Sequence, residues 1–225
     1  MTAGGLIPVR FVEPDGIWVQ VARPEAAQRL RGRPGLFLDR DGVLLEDPGY
    51  LCRPADARPI AGGAEAILAA NRRGVAVVVV TNQSGIGRGY YDWDAFAATQ
   101  ARLEAILAAQ GARIDMTIAC PHHPDGEGAY RHPAHPCRKP RPGMVLRGLD
   151  RLALDRQRSW IVGDRVRDLE AGRRAGLAGG LHVATGDGAK ERDAVRALAG
   201  PAFQVLTAET LAGGLGRLPL LSGAA

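Results

Sequence analysis

Four apolar runs, each too short for a helix and each stopped by a polar cluster, constrain this chain more than anything else in it. Leu36 to Leu38 ends in Asp39-Arg40-Asp41-Gly42. Val75 to Val80 ends in Thr81-Asn82-Gln83-Ser84-Gly85. Met116 to Ala119 runs into Cys120-Pro121-His122. Trp160 to Val162 ends in Gly163-Asp164-Arg165, with Asp168 four residues after Asp164. Short runs without alternation, two of them rich in β-branched residues, read as strands covered on both faces.

Helical patterns alternate with these strands. Ala64 to Arg73 is alanine-rich and stops at Gly74. Asp92 can cap a helix reaching Gln110, with Gly111 behind it. Met144 to Leu152 and Val166 to Ala175 follow, then a weaker strand at Leu181 to Val183 and helices near Ala189 to Leu198 and Ala208 to Leu215. The alternation predicts an α/β fold, a doubly wound parallel sheet with helices on both faces. In such a sheet every strand-end cluster lands on the carboxyl edge, where ligands bind. Residues 1–33 stand apart: Ile7 to Val12, Glu13-Pro14-Asp15-Gly16 and Ile17 to Val21 read either as an edge hairpin or as a disordered leader. The main domain is expected over residues 34–218, with a tail at 219–225.

The strand-end clusters bring Asp39, Asp41 and Asp164 to one crevice. Carboxylates so placed repel one another unless a hard cation neutralises them, and oxygen ligands suit Mg²⁺. Cys120-Pro121-His122 and His135-Pro136-Cys137 offer two sulfurs and two nitrogens, a set that suits tetrahedral Zn²⁺, with His123 and His132 as rival ligands. In a loop this rich in proline the metal would serve as the core.

Composition limits the function classes. No stretch approaches 18 apolar residues, so no membrane partner is expected, and the N-terminus carries no secretory pattern. A cytosolic location is the default. The net charge is +5, but the basic residues are scattered and aromatics make up 5%, so nucleic acid is not the expected partner. Nearly all the positive charge is arginine, and the only lysines are Lys139 and Lys190.

Taken in order, Asp39-Arg40-Asp41-Gly42, Thr81-Asn82-Gln83-Ser84-Gly85-Ile86, Lys139-Pro140 and Gly163-Asp164-Arg165 resemble the four motifs of the haloacid dehalogenase-like phosphatases. The nearer resemblance is to the D-glycero-D-manno-heptose 1,7-bisphosphate 7-phosphatase subfamily, which is related to histidinol-phosphate phosphatases. It spans roughly residues 35–215. It implies that Asp39 attacks phosphorus to form an aspartyl-phosphate. It implies Mg²⁺ at Asp39, Asp164 and the backbone carbonyl of Asp41, with Asp41 as the acid and then the base. Thr81 and Lys139 would hold the phosphoryl oxygens. Asp47, Gly49 and Tyr50 would contact the sugar, together with Asn82, Gln83 and Ser84 of the second loop. Arg138, with Arg88 as a weaker candidate, would meet the distal phosphate. The resemblance also implies a structural zinc loop of Cys120, His122, His135 and Cys137, in which His135 replaces a usual cysteine. No large cap domain is expected, since only Val43 to Pro59 separates the first motif from the first helix. The expected substrate is a small phosphorylated sugar, and the expected state a monomer. Histidinol phosphate remains an alternative substrate, and nucleic-acid ends a more distant one. Asp168 reads equally as support for the site or as part of a helix face.

Overall fold

The computed structural model describes residues 9–22 and 26–222. One sheet carries β1 (Val9–Val12), β2 (Trp18–Val21), β3 (Pro34–Leu38), β4 (Ala76–Asn82), β5 (Met116–Cys120), β6 (Asp155–Gly163), β7 (Gly179–Val183) and β8 (Gln204–Ala208). Their spatial order is β1-β2-β5-β4-β3-β6-β7-β8. The pairs from β5 across to β8 are all parallel, whereas β2 runs antiparallel to β5 and β1 antiparallel to β2. The sheet is thus doubly wound and mostly parallel, with an antiparallel hairpin added at one edge. The part of the expected first hairpin strand before Val9 lies outside the described residues.

The helices are α1 (Ala26–Leu30), α2 (Gly63–Arg72), α3 (Ser84–Gly87), α4 (Trp93–Ala108), α5 (Gly143–Arg151), α6 (Val166–Ala175), α7 (Gly188–Arg196), α8 (Leu211–Gly214) and α9 (Pro219–Ser222). Side chains alternate across a strand, so each apolar run feeds two cores. Leu36, Leu38, Val77, Val79 and Val162 pack on one face against Ile67 of α2, Leu103 and Leu107 of α4, and Leu211 of α8. Phe37, Val78, Val80 and Ile161 pack on the other against Met144, Val145 and Leu149 of α5, Leu169 of α6 and Val195 of α7.

Two expectations need correction. The helix expected from Ala208 to Leu215 is the end of β8 followed by the short α8, which starts at Leu211 behind a Thr210 cap. The expected tail at 219–225 begins with α9, whose Leu221 is buried in the first core.

Near the hairpin turn, the Glu13 N–H donates to the Ile17 carbonyl at 2.8 Å. Arg147 and Arg151 of α5 pair with Glu13, and Arg147 also with Asp15, which fastens the hairpin to the domain. The carboxyl edge stays open. Between β3 and α2 there is only a 3₁₀ turn at Pro54–Asp56, and between β5 and α5 only one at Gly128–Tyr130. Among the described residues no helix is long and apolar enough to cross a membrane.

Candidate active site

β3 and β6 are adjacent parallel strands, so the residues that follow them meet. The Asp39 N–H donates to the Val162 carbonyl at 3.0 Å, and Asp164 lies one residue past the end of β6. Asp39, Asp164 and Asp168 bring carboxylate oxygens within 4.8 Å of one another, and among the described residues no other trio of potential metal ligands does so. Asp168, left open by the sequence, is fully buried in the first turn of α6. Its Oδ2 accepts from the Arg165 N–H at 3.0 Å.

One ammonium serves this acid cluster. Lys139 Nζ lies 2.8 Å from Asp39 Oδ2 and 2.8 Å from Asp168 Oδ1, and it donates to the Val80 carbonyl at 2.9 Å. Asn82 fixes the lysine's backbone from both sides: its Oδ1 accepts from the Lys139 N–H at 3.1 Å and its Nδ2 donates to the Lys139 carbonyl at 3.2 Å. Burial, with the charges of Asp168 and Asp164, pushes Asp39 up to about 8 against the pull of Lys139. Burial and Asp168 raise Asp164 to about 6. Burial would raise Asp168 too, but Lys139 and Arg167 outweigh it and hold the group below its usual value. Three carboxylates thus share one ammonium.

The space beside Asp164 is kept clear. Gly42 has φ +82°, and a Cβ there would lie 2.6 Å from Asp164 Oδ2. Gly186 has φ +59°, and its Cβ would lie 2.4 Å from the same oxygen. Both positions need glycine twice over, for the backbone and for the cradle. A carboxylate-rich corner that a Cβ at either glycine would close fits a hard divalent cation.

Asp41 is held separately. Arg40 Nε donates to its Oδ1 at 2.9 Å and Arg40 Nη2 to its Oδ2 at 3.1 Å. Gln83 Nε2 donates to the same Oδ2 at 2.8 Å and to Thr81 Oγ1 at 2.7 Å. The Tyr91 hydroxyl in turn donates to Gln83 Oε1 at 2.5 Å. Arg40 is wholly buried, and its guanidinium carbon sits 4.9 Å from the centre of the Phe96 ring.

These groups open into a cavity of about 240 Å³. Its walls carry most of the residues expected from the sequence: Asp39, Asp41, Asp47, Gly49, Tyr50, Thr81, Asn82, Gln83 and Ser84. Lys139 lies beneath Asp39. Arg138 is not part of the wall; its Nη1 donates to the His122 carbonyl at 3.0 Å. Arg165 and Arg167 line the cavity in its place. Sequence reasoning missed Arg40, Tyr91 and Arg167 as site residues. Arg167 was legible in principle, because it lies on the same α6 turn as Arg165 and Asp168. Arg88 donates to the Tyr50 hydroxyl at 2.8 Å and pairs with Asp125 at 3.3 Å, on the rim.

The Cys and His residues gather below, between β5 and α5. Cys120 and Cys137 are free thiols, raised to about 12 and about 11 by burial. The His122 and His135 rings stack with centroids 3.7 Å apart, and His132 meets His135 edge-on at 5.1 Å. His122 Nε2 contacts the Asp15 carbonyl at 2.7 Å, while its Nδ1 is buried without a partner. Two thiols and an orphaned imidazole nitrogen suit zinc by their chemistry, although the donor atoms are not drawn to one point.

Comparison with known proteins is consistent with this geometry. A family model described as HAD-hydrolase-like matches residues 136–209. The D-glycero-beta-D-manno-heptose-1,7-bisphosphate 7-phosphatase of Mesorhizobium japonicum is 47% identical over 182 residues, covering 78% of this chain and 80% of that protein. The enzyme of the same name from Pasteurella multocida is 39% identical over 168 residues, covering 72% and 91%. Among solved structures, the D,D-heptose 1,7-bisphosphate phosphatase of B. bronchiseptica complexed with magnesium and phosphate superposes with a TM-score of 0.69 at 33% identity, over 82% of this chain and 97% of that one.

Proposed function

Since the chain belongs to the D-glycero-beta-D-manno-heptose-1,7-bisphosphate 7-phosphatase family of HAD-like hydrolases, we propose that it removes the 7-phosphate of that sugar bisphosphate through an ester formed on Asp39. The observation that carries the reading is the division of labour between two carboxylates one residue apart. Asp39 is tied to the buried lysine, and Asp41 to Arg40 and Gln83.

In the first step an Asp39 oxygen forms a bond to phosphorus while the bond from phosphorus to the sugar oxygen breaks. The Asp39 N-terminal side is fixed to β6 and its Oδ1 accepts from the Arg40 N–H at 2.7 Å, so the nucleophile has little freedom to turn away. Asp41 gives the departing sugar oxygen a proton at its carboxyl oxygen. In the second step Asp41 takes a proton from water, which attacks phosphorus and frees Asp39. Three donated hydrogen bonds fix the direction of the Asp41 carboxyl group through both steps. Thr81 faces the same cavity and can donate its hydroxyl to a phosphoryl oxygen.

Asp39, Asp164 and the Asp41 carbonyl would hold magnesium, as the heptose phosphatase from B. bronchiseptica is complexed with it. Bound there, magnesium would favour the ionised form of Asp39 and offset charge on the phosphoryl oxygens. Asp168 would keep Lys139 and the first turn of α6 in place. Cys120, His122, His135 and Cys137 would hold zinc, which orders the loop that delivers Lys139. Tyr50, Asp47 and Gly49 would meet the sugar from the rim.

Two measurements test the reading. Phosphate release from the heptose 1,7-bisphosphate should exceed that from histidinol phosphate at least tenfold in kcat/KM; the reverse order overturns the substrate. Asp39→Asn should abolish turnover and the acid-stable, base-labile phosphoenzyme, and normal turnover by that variant overturns the mechanism.

A further inference from the structure

β7 lies next to β6 in the sheet, so the turn behind it, Thr185-Gly186-Asp187, reaches the same edge as Asp164. No step of the hydrolysis uses this turn, yet it touches Asp164 and the residue next to the Asp41 carbonyl. The Thr185 hydroxyl donates to the Gly42 carbonyl at 2.6 Å, across 143 positions of sequence. The Gly42 N–H donates to the Leu45 carbonyl at 2.7 Å. Gly42 is thereby fixed on both sides. In a planar trans peptide the carbonyl points opposite to the N–H, so holding Gly42 also sets the direction of the Asp41 carbonyl.

Asp164 is held from the same side. The Asp187 N–H donates to Asp164 Oδ2 at 3.0 Å. His182 of β7 donates through Nε2 to the Asp164 carbonyl at 3.0 Å, since a carbonyl only accepts. Between these contacts sits Gly186, where a Cβ would meet Gly42 Cα at 2.9 Å as well as the Asp164 carboxylate. The turn is wedged between the loops that follow β3 and β6.

The Asp187 carboxylate has a separate task. It makes no cap bond to α7. It pairs instead with Arg165, and with Lys190 at 3.3 Å. Arg165 Nε lies 4.0 Å from Asp164 Oδ2. A guanidinium keeps its charge and grips carboxylates well, so an Arg165 set loose would compete with a metal ion for Asp164. Asp187 holds it to the side.

We infer that the turn from Thr185 to Asp187 is a positioning element for the magnesium site. Thr185 aims the Asp41 carbonyl through Gly42, the Asp187 N–H sets Asp164, and the Asp187 carboxylate keeps Arg165 off that oxygen. The inference rests on the magnesium-dependent phosphatase reading above, and it adds a strand-end loop that carries none of the four motifs.

The test reads magnesium binding without turnover, as the rise in Tm when magnesium chloride is titrated into substrate-free protein; kcat against magnesium is measured alongside. Thr185→Val removes the hydroxyl at nearly constant size. It should raise the half-saturating magnesium concentration about tenfold, the low end of what contacts behind a metal ligand are worth. Thr185→Ser keeps the hydroxyl and should stay close to wild type. Asp187→Ala keeps the N–H but frees Arg165, so it should also need severalfold more magnesium, and adding Arg165→Gln should bring the requirement back down. If the variants lower the metal-free Tm but saturate with magnesium as the wild type does, the turn only supports the fold and the inference is overturned. A loss in Asp187→Ala that Arg165→Gln does not relieve overturns the task given to that carboxylate. A wild-type protein indifferent to magnesium in both readouts overturns the magnesium reading itself.

Discussion

Arg40 and Lys139 show how much of this site is set by single buried cations. The Arg40 fork grips Asp41 at both oxygens and lies on Phe96. Arg40→Lys keeps the charge but loses the two-point grip and the flat stacking surface. We expect kcat to fall roughly a hundredfold, since small misplacements of an acid–base group carry losses of that order. The phosphoenzyme should build up, because the second step relies on Asp41 alone; rapid quenching would show it. Lys139→Met removes the one ammonium between two buried carboxylates. Breaking such a pairing costs about 3–5 kcal/mol, so urea unfolding should shift to lower midpoint, and magnesium should recover part of the loss. Lys139 was legible as a lysine retained in an arginine-rich chain. Arg40 was not, because within Asp39-Arg40-Asp41 it reads as a spacer, and only its burial on α4 reveals the clamp. Asp168 was ambiguous for a related reason: a helix-face aspartate and a buried partner of lysine look alike in one dimension.

At the scale of elements, the apolar central strands and the capped helices were readable, since burial on both faces and cap chemistry leave direct marks. Asp92 shows the second: its Oδ1 accepts from the Ala95 N–H at 2.9 Å at the start of α4. Asp92→Ala should cost about 1 kcal/mol of stability, the usual worth of a cap, seen as a small drop in Tm. β8 was missed because an edge strand beginning with an exposed glutamine presents no apolar run. α9 was missed because four residues with one buried leucine make no pattern. The loops at the carboxyl edge depend on backbone freedom. Gly42→Ala places a methyl group 2.6 Å from Asp164 Oδ2 at a φ of +82°. Magnesium titration of activity should then require at least tenfold more metal, while the far-UV circular dichroism stays that of the wild type.

Across the whole molecule, two metals would divide structure from chemistry. Mild chelation should stop turnover reversibly, with magnesium alone restoring it. Stripping zinc with a strong chelator should lower the Tm, and magnesium alone should not bring activity back, because the loop between β5 and α5 carries Lys139, the residue beneath Asp39, only two residues after Cys137. Calorimetry of protein stripped and reloaded with each metal checks both statements. The hairpin at the sheet edge meets this loop through the Asp15 carbonyl and His122, a contact that joins residues 107 positions apart. The open carboxyl edge has a wider consequence. With no folded insert to shut over the cavity above Asp39, water can reach the phosphorylated intermediate throughout its lifetime. Water entering freely then outcompetes any sugar acceptor, so such an architecture is committed to hydrolysis and is poorly suited to passing its phosphate on to a second alcohol.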